Sequence, residues 1–225
     1  MGLYLGYTLS RLLSSGEVGG AREHARAVAG LEHGLGIDPE RWLNALFLRS
    51  TAVEVAASYW YSVMHYVVTP LVLYALYRLR PDLYRPLRSA LVIATVVALV
   101  VYLTWPAAPP RLMGDFHDTL LATSDFGWWS GHASAPQGLG ATTNELAAMP
   151  SMHVGWAVWS SIAALTFVRV RWARMLLVAY PMVTLIVVVG TANHWVLDAV
   201  AGAAIAIGAA AACTVLRREP GPLGP

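Results

Sequence analysis

The chain has 225 residues, of which 57% are hydrophobic and only 12% are charged. With a mean hydropathy of +0.54, this composition is typical of a protein that resides in a lipid bilayer, and it excludes an ordinary soluble domain. The formal net charge is +2 and the fifteen basic residues, all of them arginine, are dispersed along the chain, which excludes a nucleic-acid partner.

The first fifty residues are expected to form an N-terminal and interfacial segment. Residues 1–13 are apolar but short for a bilayer, so whether they cross it stays open. Between residues 14 and 50 the charges alternate in sign, and apolar residues recur at helical spacing, namely Val28, Leu31, Leu35, Trp42, Ala45 and Leu46. This pattern is typical of helices that lie in the membrane interface.

Apolar runs of about 20 residues, the length that crosses a bilayer core of about 30 Å, predict the membrane-spanning helices. Four are clear, at residues 52–77, 90–105, 175–189 and 195–216. A fifth, at 154–168, is shorter and needs the segment 149–153 as its entrance. The sequence therefore predicts an all-α membrane bundle of five to six spans. We expect a single domain with a catalytic core at 52–216 and an outer loop at 107–150.

The arginines predict the orientation, because short cytoplasmic loops are enriched in basic residues. They concentrate in three segments, which contain Arg78, Arg80, Arg85 and Arg88, then Arg169, Arg171 and Arg174, then Arg217 and Arg218. The loop at 106–152 then falls outside, with one arginine against four acidic residues. Arg111, His153 and His194 all lie at outer ends of spans. The sequence thus predicts a multi-pass cell-membrane protein with its site on the extracytoplasmic side.

A histidine and an aspartate lie one helical turn apart at the start of the last span. His194 and Asp198 are four positions apart, which places both side chains on one helix face. Asp198 can hold one imidazole nitrogen and leave the other free to attack or to transfer a proton. Two alternatives stay open. One is a pair that only staples the helix end, and the other adds His153 to form a metal site.

Two further segments predict phosphate contacts on the same side. Ser151 is expected to cap the helix of the span at 154–168. There, free backbone amides would hold an anion and His153 would donate a proton to a leaving oxygen. Prolines stiffen the chain before Arg111, whose guanidinium matches two phosphate oxygens. Taken singly, each segment also fits a simpler role, as a helix cap with an interfacial histidine or as an arginine anchored at the interface.

Together these segments resemble the three motifs of the type 2 phosphatidic acid phosphatase superfamily of membrane lipid phosphatases and phosphotransferases. Residues 150–153, Pro-Ser-Met-His, are similar to the second motif, and His194 with Asp198 is similar to the core of the third. With Pro-Pro before Arg111 and Asn193 before His194, the chain looks most like the branch that includes inositol phosphorylceramide synthase and its bacterial relatives. The resemblance covers roughly residues 50–216.

The resemblance implies a lipid phosphatase or phosphotransferase that needs no metal or cofactor. His194 would take the phosphoryl group as phosphohistidine, Asp198 would orient it, and His153 would protonate the departing lipid oxygen. Arg111 and the Ser151 region would hold the phosphate oxygens. The implied partners are a membrane lipid phosphate, which is phosphatidic-acid-like, a polyprenyl phosphate or a phospholipid head group, and a water, alcohol or polyol acceptor. The oligomeric state stays open.

Two cations of the fullest family motifs are absent here. A lysine of the first motif and an arginine of the third are replaced by Thr104 and Val188. Asn193 is therefore a candidate substrate-binding residue. His65, near the middle of the first clear span, is a second one, although a packing histidine fits equally well. The adjacent tryptophans Trp128 and Trp129 are expected to anchor the outer loop at the membrane interface.

The alternative function is a non-enzymatic membrane transporter or lipid-binding protein. Histidine and aspartate inside a membrane are common in proton relays, and the same cluster also fits a structural pair. Against a transporter, the polar residues gather at one end of the spans, and the sequence has no inverted repeat.

Overall fold

The computed structural model describes residues 18–129 and 144–215. Within these ranges the α-helices are α1 (Val18–Leu35), α2 (Glu40–Phe47), α3 (Thr51–Leu79), α4 (Pro81–Thr104), α5 (Thr119–Ala122), α6 (Met152–Ala164), α7 (Arg171–Gly190) and α8 (Val196–Val215). Short 3-10 turns occupy Pro110–Leu112 and Ser124–Phe126. No β-strand occurs among the described residues, so the predicted all-α class is confirmed.

Three helices, α4, α7 and α8, are long and apolar enough to cross a membrane. Only 28–33% of their apolar windows is buried inside the protein, so most of their apolar surface is available to lipid. The chain is thus a membrane protein by fold. The predicted spans at 52–77 and 154–168 correspond to α3 and α6. α3 is long, with 29 residues, but carries a buried polar stripe, and α6 has only 13 residues.

α6 lies at the centre of the bundle, where it packs against α3, α7 and α8, while α8 also packs against α4. The contact between α6 and α8 is unusually close. A Cβ atom on Gly202 of α8 would lie 2.0 Å from the carbonyl oxygen of Ser151, and one on Gly155 of α6 would lie 3.0 Å from the carbonyl oxygen of Gly202. The main chain entering α6 therefore rests directly on the main chain of α8, which fixes the position of the α6 entrance.

Two arginine-rich segments meet at one end of the bundle. The prediction of a loop between the first two spans, at residues 78–89, is wrong. α3 and α4 are joined by Arg80 alone, and Pro81 starts the next helix at once. Arg80 donates to the Thr166 carbonyl (2.8 Å), and Arg174 donates to the Leu165 carbonyl (3.0 Å). The third predicted segment, at 217–218, and the apolar residues 1–13 lie outside the described residues.

Helices α1 and α2, the cap helices, dock at the opposite end of the bundle. Asn44 of α2 donates to the Gly190 carbonyl (2.9 Å), and the Ala108 amide donates to the Ala21 carbonyl of α1 (3.0 Å). The side of α1 that packs on the protein is formed by Ala21, Ala25, Val28 and Glu32. Leu31 and Leu35 are exposed. The predicted helices are therefore present, but most of their apolar residues face away from the protein.

The outer loop differs from its prediction at one of its two tryptophans. Trp129 is fully buried, and its Nε1 donates to Thr123 Oγ1 (3.2 Å). Its ring also packs edge-on against Tyr59 of α3, with 4.8 Å between ring centroids. Trp128 stays exposed. The prediction of an interfacial anchor is therefore wrong for Trp129, which holds the outer loop onto α3.

Candidate active site

Three chain segments that carry candidate residues meet at the end of the bundle that the cap helices cover. The Arg111 amide donates to the Ala192 carbonyl (2.9 Å), and the Ser151 amide donates to the Asp198 carbonyl (2.8 Å). The amide of Ala148 donates to the carbonyl of Ala107 (3.2 Å). These main-chain hydrogen bonds join the exits of α4 and α7 and the entrances of α6 and α8 into one structure.

The turn between α7 and α8 delivers His194 to this structure. α7 ends in a Schellman motif, in which the Asn193 amide donates to the Val188 carbonyl (3.0 Å) and the Ala192 amide donates to the Val189 carbonyl (2.9 Å). Ala192 adopts the left-handed conformation that this motif requires, with φ of 58°. The turn is thus specified by hydrogen bonds, and it sets the direction in which the chain enters α8.

The imidazole of His194 is buried and held through Nδ1. This nitrogen donates to the Ala148 carbonyl (2.8 Å), because a carbonyl only accepts. Nε2 therefore carries the free lone pair, and it has no hydrogen-bond partner in the described part of the chain. Asp198 Oδ2 lies 3.6 Å from Nδ1, so the carboxylate is a second neighbour rather than the hydrogen-bond acceptor that the sequence predicts.

Asp198 is fully buried in the first turn of α8. Its Oδ2 accepts from the Trp195 amide (2.8 Å), as the third residue of a helix does when it caps the helix start. This bond explains why the carboxylate stands slightly away from His194. Asp198 therefore both caps the start of α8 and lies beside the imidazole of His194. The geometry is compatible with a structural role and with a role in orienting the histidine.

Ser151 and His153 form the start of α6 as the sequence predicts for a helix cap. Ser151 Oγ accepts from the Val154 amide (3.5 Å). The imidazole of His153, in the first helical turn, has its ring centroid 5.5 Å from that of His194. Its Nε2 is buried and lacks a partner among residues 18–129 and 144–215. Two unsatisfied imidazole nitrogens therefore belong to neighbouring rings.

His65 of α3 is buried and completes what we call the histidine cluster, formed by His65, His153 and His194. Its ring lies edge-on to that of His153, with 4.5 Å between centroids. Tyr61 stacks on the ring of His153, with 4.2 Å between centroids. The sequence interpretation missed Tyr61, although its position four residues before His65 places both side chains on one face of α3.

Arg111 lies beside the histidine cluster, and its side chain is only 2% exposed. Nε donates to Asn193 Oδ1 (3.2 Å), and the two Nη atoms donate to Asp118 (3.3 Å) and Glu145 (3.5 Å). These four residues form the arginine cluster. Asn193 thus ties the guanidinium to the turn that carries His194. The sequence interpretation missed Asp118 and Glu145, whose negative charge has the same sign as that of a phosphate, although both are in the acidic outer loop.

A comparison with known protein families identifies the family of the chain that carries these clusters. A family model described as the PAP2 superfamily, the type 2 phosphatidic acid phosphatase superfamily, matches residues 26–212. The chain belongs to the PAP2 superfamily. Its members are phosphatases and phosphotransferases, so membership indicates an enzyme that acts on phosphoric esters. No curated protein and no solved structure matches the chain.

The PAP2 match begins inside α1, so it includes most of the cap helices, which the predicted resemblance left out. Two of their acidic residues hold the start of α8. The Val196 amide donates to Glu40 (3.0 Å) and the Leu197 amide donates to Glu32 (2.6 Å). Burial raises the pKa of Glu32 to about 8. The sequence carries no signal for these contacts, because acidic residues in a segment of alternating charge usually face solvent.

The histidine and arginine clusters, with Asp198 and Ser151 beside them, bring together the candidate residues of this PAP2 protein. In the part of the chain that the structure describes, no group of three or more His, Cys, Asp or Glu side chains is arranged to hold a metal ion. The side chains present are of the kinds that bind an anion, since imidazole and guanidinium nitrogens all donate to oxyanions when protonated.

Proposed function

We propose that the chain is a membrane-embedded lipid phosphatase or phosphotransferase that forms a phosphohistidine at His194. The observation that carries this proposal is the pair of imidazole rings, His153 and His194, with centroids 5.5 Å apart. Each ring has a buried Nε2 without a partner in the described ranges. At this separation a single phosphate group contacts both rings, as a nucleophile and a general acid require.

The first chemical step transfers the phosphoryl group to His194. Its Nδ1–H is held by the Ala148 carbonyl, so the lone pair of Nε2 attacks phosphorus and a P–N bond forms. The bond between phosphorus and the lipid oxygen breaks at the same time, and protonated His153 gives its proton to that oxygen. The carboxylate of Asp198, 3.6 Å from Nδ1, stabilises the positive charge that the imidazole gains.

The second step restores both histidines. A water, alcohol or polyol oxygen attacks the phosphorus of the phosphohistidine, the P–N bond breaks, and the attacking group gives its proton to His153. Hydrolysis and head-group transfer differ only in this acceptor. The likeness of the motifs to the inositol phosphorylceramide synthase branch supports a polyol acceptor in addition to water.

The arginine cluster would bind the phosphate oxygens before and during transfer. Arg111 exchanges its carboxylate partners for two phosphate oxygens, which match its planar fork. Asn193 keeps the guanidinium beside His194 during this exchange. The amides at the start of α6, next to Ser151, supply further donors to the phosphate. His65 lines the opposite side, where its contact with His153 holds that ring towards the substrate.

The proposed topology has five spans, formed by α3, α4, α6, α7 and α8, in one domain. The contact between Arg80 and the Thr166 carbonyl (2.8 Å) keeps two arginine-rich segments at the end of the bundle away from the site. Because arginine-rich ends favour the cytoplasm, we propose that the site opens on the extracytoplasmic side of the cell membrane. The substrate is then a lipid phosphate of the outer leaflet, such as phosphatidic acid or a polyprenyl phosphate.

The proposal is tested with the purified chain in detergent micelles that contain phosphatidic acid or a polyprenyl phosphate. Phosphate release is measured first, and transfer to added inositol second. We expect His194→Ala to lower the rate by about 10³-fold or more and His153→Ala by about 10²-fold or more. His33→Ala is the matched control, because His33 is 83% exposed on α1. Full activity of both site variants contradicts the proposal.

A further inference from the structure

Carboxyl groups from outside the last helix hold its start. Val196 donates to Glu40 of α2 and Leu197 to Glu32 of α1, across 156 and 165 positions of sequence. Asp198 holds the amide that precedes them. The first amides of a helix have no acceptor within the helix and carry the positive end of its dipole. The cap helices therefore supply acceptors that α8 itself lacks.

We infer that Glu32 and Glu40, which we call the carboxyl clamp, are positioning residues for His194, with Glu32 in its protonated form. This inference rests on the proposed function, since His194 needs exact placement only if it reacts. His194 lies two positions before the first clamped amide, and its own amide is bound to the Val188 carbonyl (3.1 Å) of α7. The direction of its ring is therefore set by the end of α7 and the start of α8.

The burial of the clamp supports a proton on Glu32. Glu32 is 0% exposed and Glu40 is 2% exposed, and two neighbouring carboxylates without solvent do not both ionise near neutral pH. Oε2 of Glu32 is buried and has no hydrogen-bond partner among the described residues. A proton on this oxygen turns it into a donor towards Glu40, while Oε1 still accepts from the Leu197 amide.

The charges around Glu32 act in the same direction. Burial raises the pKa of Glu32 to about 8, the Leu197 amide opposes this rise, and the negative charges of Glu40 and Asp198 add to it. These two carboxylates, from α2 and α8, are the charged groups that act on Glu32, and His194 lies beside Asp198. Below pH 8 Glu32 is protonated and the clamp is intact. As the pH rises through about 8, three carboxylates face one helix end and repel each other.

The clamp is tested by comparing Glu32→Ala with Glu32→Gln across pH. The alanine removes the acceptor of the Leu197 amide, so we expect kcat to fall about 10-fold while KM stays unchanged. Glutamine keeps an oxygen for that amide and an N–H for Glu40, but it does not titrate. It is expected to recover most of the lost kcat and to remove the fall in kcat that the parent shows above pH 8. Glu23→Gln, exposed on the same helix, is expected to keep the parent profile.

Amide hydrogen exchange of residues 195–197 gives a second measurement that needs no catalysis. Relative to the intrinsic rate, the protection of the parent is expected to fall between about pH 4.5, the ordinary pKa of a glutamate, and about pH 8, the pKa of Glu32 in the fold, while Glu32→Gln keeps it. Equal loss in both proteins overturns the inference, as does an unchanged fall in kcat for Glu32→Gln. The proposed function fails separately, if His194→Ala retains full phosphate release, and the exchange data then still decide the state of the clamp.

Discussion

The histidine cluster and the arginine cluster lie side by side but are satisfied to different degrees. In the histidine cluster, Nε2 of His153 and of His194 has no partner in the described part of the chain. In the arginine cluster, Arg111 is bound by Asn193, Asp118 and Glu145. A buried polar atom without a partner costs about 1–3 kcal/mol. Under the proposed function, the histidines are available to a ligand, whereas Arg111 is held with its charge neutralised until phosphate binds.

The two clusters are also held in place by different means. His153 depends on main-chain packing, because the entrance of α6 rests on Gly202 of α8. Arg111 depends on side chains, which are easier to replace without changing the backbone. Variants of Gly202, Asn193 and Glu145 therefore test whether the two clusters are positioned independently but are both needed for activity. They follow in order of expected effect, from the largest to the smallest.

Gly202→Ala is expected to have the largest effect. Its Cβ would lie 2.0 Å from the Ser151 carbonyl oxygen, so the α6 entrance must move and carry His153 with it. We expect the thermal unfolding temperature to fall with a loss of about 3 kcal/mol, and phosphate release to fall at least 100-fold. Gly208→Ala is the matched control on the same helix, since nothing lies within 4 Å of its Cβ. Equal behaviour of the two variants contradicts the packing argument.

Asn193→Ala is expected to have an intermediate effect, because Asn193 joins the two clusters. Removal of its side chain leaves Nε of Arg111 without the oxygen that now lies 3.2 Å away. We expect kcat/KM to fall about 10–100-fold in the phosphate-release assay, the range for a lost buried hydrogen bond to a charged group. Asn193→Asp keeps an oxygen for Nε and should retain more activity than the alanine. A parent-like Asn193→Ala enzyme would show that Arg111 needs no positioning.

Glu145→Gln is expected to have the smallest effect and the opposite sign. It weakens one of the two carboxylate contacts that compete with phosphate for Arg111, at 3.5 Å. We expect KM for the lipid phosphate to fall about 2–5-fold while kcat changes little, because a contact of this kind contributes about 0.5–1 kcal/mol. Asp115→Asn is the control, as Asp115 pairs with Arg41 on the surface. An increase in KM would mean that Glu145 supports binding.

Local patterns in the sequence predicted local structure well. The serine after a proline and before an apolar run predicted the Ser151 cap, because such a cap depends on adjacent residues only. The spacing of His194 and Asp198 predicted a common helix face, but His194 lies in the turn before α8 (Val196–Val215). The two side chains are still neighbours, with 3.6 Å between Nδ1 and Oδ2. The start of α4 was predicted too late, at residue 90 instead of Pro81. Because Arg85 and Arg88 are charged, a hydropathy criterion leaves them out of a membrane span. They still belong to the helix, since arginine is a good helix former.

Contacts between distant segments were not predictable from the sequence. The acceptor of His194 Nδ1 is the carbonyl of Ala148, 46 positions away, and a backbone atom leaves no mark in the sequence. The cap helices show a second limit. Leu31, Leu35 and Leu46 face outward while Glu32 faces inward, which differs from a soluble helix, because lipid accepts apolar side chains and the protein interior supplies partners for polar ones.

The shortness of α6 determines how deep a substrate must travel. At 1.5 Å per residue its 13 residues are about 20 Å long, about 10 Å less than the hydrocarbon core of a bilayer. In the proposed five-span arrangement, the missing length is filled by outer loops that bond to each other, as Ala148 does to Ala107. A lipid would therefore sink its head group about two helical turns below those of its neighbours, while its acyl chains stay in the surrounding leaflet.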